Sequence, residues 1–224
     1  MENKIKQILY SFGADTCGIA EAERFNGSRD GFHPLDIYGG CKSVIVFGKA
    51  LPKGAFCSKS PLIYTKANAE CKDEIDRITY LASLEIEKLG AVAVPVPSDS
   101  PYDYWDKDAR EGRGVMSMRH AAYFAGLGWI GNNTLLISPE FGTRLNISAI
   151  LTDLSLASDE MCKNLCTESC NLCIKACPSG ALSRDGITQK PCRQVSNITN
   201  ARGFEVYVCN KCRTACPYAC GNKR

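Results

Sequence analysis

The sequence predicts an α+β fold in two parts, an α/β sandwich-like domain over residues 1–157 and a small cysteine-rich domain over 158–224. Three observations carry this reading. Apolar runs of helical and of strand period alternate through the first part. Extended apolar runs almost vanish after it, so the second part cannot bury enough surface to hold together without metal. Of fourteen cysteines, ten crowd into 162–220.

In chain order, Asn3 is expected to cap a short amphipathic helix carrying Ile5, Ile8, Leu9 and Phe12, closed by Gly13. The β-branched run Ser43–Phe47 reads as a buried strand. A long helix is expected over roughly 66–89. Its apolar stripe is Cys71, Ile75, Ile78, Ala82 and Leu89, and Gly90 stops it. Ala91–Pro95 reads as a short strand ended by its proline. The stretch 97–114 has loop composition and is long for a connection. Residues 117–127 read as helix, and Ile147–Leu151 as another buried strand.

The net charge of +3 is too small to argue for nucleic acid or a membrane surface. No apolar run approaches the roughly 20 residues of a membrane span. Met1-Glu-Asn-Lys-Ile-Lys is followed by no apolar leader. The expected compartment is therefore cytoplasmic, where crowded cysteines read as metal ligands rather than disulfides. Cys17, Cys41, Cys57 and Cys71, scattered through the first part, are expected to be small buried hydrophobes.

One cysteine series runs Cys166-Thr-Glu-Ser-Cys170-Asn-Leu-Cys173-Ile-Lys-Ala-Cys177-Pro, a second Cys209-Asn-Lys-Cys212-Arg-Thr-Ala-Cys216-Pro, and Cys192 lies between them. The bacterial ferredoxin run is C-x2-C-x2-C-x3-C-P, and its fourth cysteine ligates the other cluster. Short spacings let thiolates converge on one cube, and the x3-C-P step carries the last thiolate to a second. The first gap here holds three residues instead of two. The expectation is a ferredoxin-like domain binding two [4Fe–4S] clusters through eight cysteines. Zinc sites are the competing reading, but those show separated C-x2-C pairs. Residues 160–224 carry ten Lys/Arg against four Asp/Glu, a net +6 that suits two anionic clusters. A solvated basic face explains the same charges equally well.

Gly126-Leu-Gly-Trp-Ile-Gly-Asn-Asn-Thr-Leu-Leu-Ile137, Phe141-Gly-Thr-Arg144 and Ala149-Ile-Leu-Thr-Asp153, followed by the two cysteine series, resemble the epoxyqueuosine reductase family. Phe12–Ala20 and Ser43–Phe47 fit that family's opening, so the resemblance covers nearly the whole chain. It implies cobalamin in the α/β domain beside two [4Fe–4S] clusters, a plan shared by the more distant reductive dehalogenases. It further implies Cys166, Cys170, Cys173 and Cys216 on one cluster and Cys177, Cys192, Cys209 and Cys212 on the other. Cys162 and Cys220 are left over, with Cys162 competing for the place of Cys166. Gly126, Gly128, Trp129, Gly131 and Asn133 would lie at the corrinoid, and Arg144 would contact a phosphate or carboxylate. A glycine-ended helix entering a buried strand explains the same glycines without a cofactor, and a surface ion pair explains Arg144. With only His33 and His120 present and no Asp-x-His-x-x-Gly motif, a corrinoid would bind without a histidine ligand.

The chain departs from the family pattern in three places. The family's proton-donating Asp falls on Gly112, and Asp99-Ser-Pro101 lies too early to replace it. The lysine after GWxG is Asn132, and no helical-repeat tail follows the cysteines. These departures argue against epoxyqueuosine in tRNA as the substrate, so a small molecule is expected and nucleic acid is not. Asp99, Tyr102, Asp103 and Tyr104 lie where a substrate lid is expected, and no catalytic residue is assigned. The reading is an iron–sulfur reductase taking electrons from a low-potential donor, such as a ferredoxin or flavodoxin, and passing them to cobalamin. The alternatives are a ferredoxin-like electron-transfer protein without a corrinoid and a redox or metal sensor.

Overall fold

The structure, a computed structural model, describes residues 1–222. The chain begins with α1 (Glu2–Ser11), β1 (Thr16–Glu21), a 3-10 turn (Ala22–Phe25), α2 (Pro34–Ile37), β2 (Ser43–Ala50), α3 (Lys53–Cys57), α4 (Pro61–Glu87) and β3 (Ala93–Val96). There follow the hairpin β4 (Tyr104–Asp106) and β5 (Glu111–Arg113), then α5 (Met118–Phe124), β6 (Trp129–Ile130), β7 (Leu136–Ile137) and β8 (Leu145–Thr152). The cysteine-rich stretch holds α6 (Leu172–Lys175), β9 (Leu182–Ser183), β10 (Gly186–Ile187), α7 (Gln189–Ser196), β11 (Asn197–Thr199), β12 (Glu205–Tyr207) and α8 (Lys211–Thr214).

The central sheet has the order β1-β2-β8-β3, and every neighbour is antiparallel. Side chains of adjacent residues in a strand point to opposite faces. Val44 and Val46 of β2, with Ala149 and Leu151 of β8, therefore meet Ala121 and Ala122 of α5. Ile45, Phe47 and Ile150 point the other way, onto Ile5 and Leu9 of α1 and Ile75, Ile78, Ala82 and Ile86 of α4. Helices cover both faces, which is why β2 reads as one unbroken apolar run. Continuous runs of that kind are typical of parallel sheets, and here the sheet is wholly antiparallel.

Local departures from expectation have local causes. The cap position of α1 is Met1, and Asn3 lies inside the first turn. α4 begins at Pro61, whose fixed φ and missing N–H suit a first turn. Pro95 does not end β3 but pairs with Ile150 on an edge strand, where its missing donor faces no neighbour. Cys17, Cys41 and Cys71 are buried, and burial pushes the first two thiols up to about 12 and about 11. Cys57 corrects the expectation, because it ends α3 exposed.

The cysteine-rich stretch is fastened to the sheet and its helices at several points. Asp159 N–H donates to Ile19 O at 2.9 Å, and Ile19 N–H donates to Asp159 Oδ2 at 2.8 Å, so the connection runs beside β1. Tyr207 N–H reaches Thr65 Oγ1 at 2.9 Å, and Arg213 Nη1 reaches Tyr64 Oη at 3.0 Å, both on α4. Thr143 N–H donates to Ala219 O at 3.1 Å beside the start of β8. Among the described residues no helix is long and apolar enough to cross a membrane.

Ile75 is fully buried between α4 and the sheet, whereas Leu62 on the same helix is 59% exposed. Ile75→Ala is expected to cost about 2–5 kcal/mol and Leu62→Ala within about 0.5 kcal/mol, both read from denaturant unfolding midpoints.

Candidate functional site

The two short helices α6 and α8 pack against each other and carry Cys173 and Cys212. Cys173 lies in the field of Cys166 and Cys170, and Cys216 in that of Cys166, Cys173 and Cys170. These four thiols, with Asn132, Asn133, Ile137, Leu172 and Pro217, wall a cavity of about 20 Å³. Cys192 lies in the field of Cys177 and Cys209, and Cys212 in that of Cys192, Cys209 and Cys177. Eight thiols thus gather in two sets of four, and each set takes one member from across the two series. Cys162 joins neither set and lies over Lys163 O at 3.4 Å, while Cys220 packs against the Leu51–Phe56–Tyr64–Cys71 cluster.

The thiols of Cys173, Cys192, Cys212 and Cys216 are pushed up, first by burial and then by the neighbouring cysteines. At Cys177 burial acts in the same direction, but donation from Ser179 and from the backbone of Ser179, Leu182 and Ala181 outweighs it and pulls the thiol down. Thiolates that oppose one another's ionisation are relieved by a bound cation. Among the described residues no three His, Cys, Asp or Glu side chains close tightly enough to hold a single metal ion.

The glycine segment is packed closely against the protein's own chain. A Cβ on Gly126, whose φ is +77°, would lie 2.1 Å from Glu160 O. One on Gly128 would lie 2.4 Å from Ile137 O, and one on Gly131 would lie 2.5 Å from Ile137 Cδ1. The close approach these glycines permit is made by the protein's own chain. Trp129 meets Tyr123 edge-on at 5.4 Å. Asn133 is buried and accepts from Leu135 N–H. Arg144, 5% exposed, donates to Leu51 O at 2.6 Å and to Cys220 O at 3.4 Å, which ties β8 to the end of the cysteine stretch.

None of those six residues walls the principal cleft, a space of about 880 Å³ between the sheet domain and the cysteine-rich stretch. Their neighbours Ile130, Thr134, Leu135 and Leu136 do, together with Leu145, Asn146 and Ile147 of β8. Gly112 and Gly114 lie on the hairpin side, and Ile187, Gln189 and Arg213 lie on the cysteine side. Gln189 and Cys192 are three residues apart on α7, so the helix that lines the cleft also carries a thiol of the second set.

Polar groups converge on this space. Ser98 Oγ is buried there without a partner. Arg119, held down by burial, donates to Thr134 O at 2.6 Å. His120 lies 2.7 Å from Ser117 Oγ and is pulled down by burial and then by Arg119 and Arg29. Asp99 pairs with Lys72 at 2.5 Å. Burial depresses that lysine, but its hydrogen bond to Asp99 prevails and raises it. Sequence reasoning missed Lys72, Ser98, Arg119, His120 and Gln189, since no motif marks them.

The hairpin β4–β5 closes one side of the cleft. Gly112 N–H donates to Gln189 Oε1 at 3.1 Å, and Gln189 Nε2 returns a bond to Gly112 O at 3.2 Å. Arg193 lies over Trp105 at 4.8 Å and over Tyr102 at 5.4 Å. A Cβ on Gly112 would meet Trp105 at 3.0 Å and Arg193 at 3.3 Å, so the space an Asp would need is filled. Carboxylates reach the cleft from Asp99, Glu111 and Asp185 instead. A cleft of this volume, with an orphan hydroxyl and cationic walls, suits a large cofactor or substrate bearing acceptor groups at its rim.

No family model matches the chain. It is 36% identical over 121 residues to the epoxyqueuosine reductase of Listeria monocytogenes, covering 49% of this chain and 31% of that protein. It is 29% identical over 254 aligned positions to that of Bacillus anthracis, covering 94% and 63%. The chain thus spans between about a third and under two-thirds of the length of these curated relatives. The fold matches the epoxyqueuosine reductase of Streptococcus thermophilus with a TM-score of 0.67 at 19% identity, over 98% of this chain and 66% of that one. It matches an epoxyqueuosine reductase solved with an epoxyqueuosine-modified tRNA stem loop with a TM-score of 0.64 at 17% identity, over 97% and 65%. It also matches a reductive dehalogenase for which a B12-dependent mechanism is suggested, with a TM-score of 0.66 at 18% identity, over 98% and 32%. The relatives it resembles are epoxyqueuosine reductases and one neighbour was solved with a tRNA stem loop, so these likenesses do not support the expectation that epoxyqueuosine and nucleic acid are to be set aside.

Gly126→Ala is expected to cost more than about 1 kcal/mol through positive-φ strain and the approach of Glu160 O, seen as a lower melting temperature. His120 yields a pH prediction. Its folded value lies below the ordinary 6.5, so below that pH the unfolded chain binds the proton first. Its contribution to stability is present above about pH 6.5 and is lost as pH falls through the depressed value. His120→Gln should flatten that part of the stability curve, measured by denaturant unfolding between pH 7 and 5.

Proposed function

We propose that this epoxyqueuosine reductase-like protein is an iron–sulfur reductase that works on a substrate bound in the 880 Å³ cleft. The observation that carries the reading is the sorting of eight thiols into two sets of four, one of them on the helix that lines the cleft. Cys166, Cys170, Cys173 and Cys216 would hold one [4Fe–4S] cluster, and Cys177, Cys192, Cys209 and Cys212 the other. The second set adjoins the cleft through Gln189 and Arg213, which supports the first set as the entry for electrons from a low-potential donor protein. A two-part division into a sheet domain and a ferredoxin-like domain accompanies this reading.

The cleft is the site for cobalamin, which when bound supplies a strongly reducing metal centre. Arg119, the orphan Ser98 hydroxyl and Asn146 would bind acceptor groups at the rim of the ring. Leu136, Leu145 and Ile147 exclude water from one wall. Lys72 holds the Asp99 carboxylate at the cleft, where Tyr102 and Glu111 also stand, so the Tyr102 hydroxyl is at hand to deliver a proton. Arg213, anchored on Tyr64, supplies positive charge between the second thiol set and the cleft. Epoxyqueuosine in tRNA is the first substrate to try, followed by small electrophiles.

Anaerobic reconstitution should give about eight irons per chain, and Cys173→Ala or Cys209→Ala should each remove half. Cob(II)alamin added to the loaded protein should change its absorption and paramagnetic resonance spectra. Gly114 borders the cleft with only Met116 O, at 3.6 Å, near its Cβ position. Gly114→Trp should weaken corrinoid binding at unchanged iron content. Stoichiometric zinc without sulfide would overturn the cluster reading. A loaded wild type that binds no corrinoid would leave the electron-transfer protein as the reading.

A further inference from the structure

We propose that Asn133 donates a side-chain hydrogen bond to the cluster held by Cys166, Cys170, Cys173 and Cys216 and so raises its reduction potential. The inference rests on the reading that these four thiols hold a cluster, and it assigns to Asn133 a role different from the corrinoid contact expected of it.

The orientation of the amide follows from its one partner. Asn133 is 2% exposed, and its Oδ1 accepts from Leu135 N–H at 3.2 Å. That bond assigns the oxygen, so the other end of the amide is the NH2 group. Asn133 Nδ2 is buried and has no partner. A buried amide with neither proton used is costly unless something accepts from it. The residue walls the cavity that the four thiols ring, and their sulfurs are acceptors there.

The same loop already shows the interaction once. Asn132 N–H points at Cys166 Sγ at 3.4 Å, while its side chain donates to Cys170 O at 2.9 Å. Asn132 therefore fixes the loop against the first cysteine series and brings Asn133 up behind it. Donors to cluster sulfurs stabilise the reduced, more negative state more than the oxidised one, and so raise the potential. An asparagine is suited to the task because its amide cannot itself take up or lose the charge.

The test uses the full chain, reconstituted anaerobically, as wild type and as Asn133→Leu, which matches the side chain in size and removes the donor. Both should carry the same iron. Redox titration followed by paramagnetic resonance should show one cluster harder to reduce in the variant. The expected fall is about tenfold in the reduced-to-oxidised ratio at fixed potential, or about 59 mV for one electron, with the other cluster unmoved. The reduced wild type grown with side-chain ¹⁵N-asparagine should also show a ¹⁵N coupling that the variant lacks. Should the leucine variant fail to load, Asn133→Ser, too short to reach the sulfurs, takes its place. Unchanged potentials in an iron-replete variant, or no loss of the ¹⁵N coupling, would overturn the inference while leaving the cluster reading intact. A wild type that takes up no iron would overturn both.

Discussion

The ladder between β2 and β8 is the constraint on which the rest of the structure depends. It runs unbroken from Ser43–Thr152 to Ala50–Leu145 and is buried on both faces. Because strand register cannot slip by one without turning every side chain to the opposite face, this ladder fixes where each end of β8 emerges. At its start, Leu145, Asn146 and Ile147 become the floor of the cleft. One residue earlier Arg144 holds the carbonyls of Leu51 and Cys220, so the cysteine-rich stretch is referenced to the same strand. At its far end the chain turns back along β1 through Asp159 before the first cysteine series begins. The mutual position of sheet, cleft and thiols thus traces to one antiparallel pairing.

What was legible in the sequence was whatever depends on period or spacing. Ile75, Ile78 and Ala82 recur at helical intervals and do face the sheet, and Ser43–Phe47 is a strand because β-branched residues crowd there. The gathering of the thiols could be anticipated because a C-x2-C step brings neighbours together whatever surrounds it. Strand direction was not legible, since a run buried on both faces carries no polar alternation. Nor were the walls of the cleft. Arg119, Ser98 and Gln189 come from separate stretches and meet only through tertiary packing.

The glycine segment shows how a motif that carries a resemblance also serves packing within the chain. Gly126, Gly128 and Gly131 suggested room for a cofactor because glycine permits close approach. The approach is real, but Glu160 O and Ile137 make it. These glycines draw the β6–β7 turn inward until Asn132 and Asn133 lie against the first set of thiols and Ile130 and Thr134 reach the cleft. They also place the neighbours that line the cavity and the cleft. A bulky substitution there acts first on the packing of the chain.

The hairpin over the cleft and the second set of thiols are linked by one short helix. α7 has eight residues and none is fully buried, so apolar packing does little to position it. Its near end is held by the paired bonds between Gln189 and Gly112, its middle carries Cys192, and Arg193 rests on Trp105 of the hairpin and on Tyr102 just before it. Half-buried thiols crowd together here, Cys192 and Cys212 are pushed up by burial and by their neighbours, and metal binding to such a cluster is coupled to folding. Anchoring Cys192 would therefore also anchor Gln189 and Arg193, and through them the hairpin that carries Gly112 and Tyr104. The Gly112 position makes the same point from the other side. A side chain there would displace Trp105 from Arg193 and loosen the hold of the hairpin on α7. A glycine at that position keeps the cleft wall and the thiol-bearing helix in one connected unit.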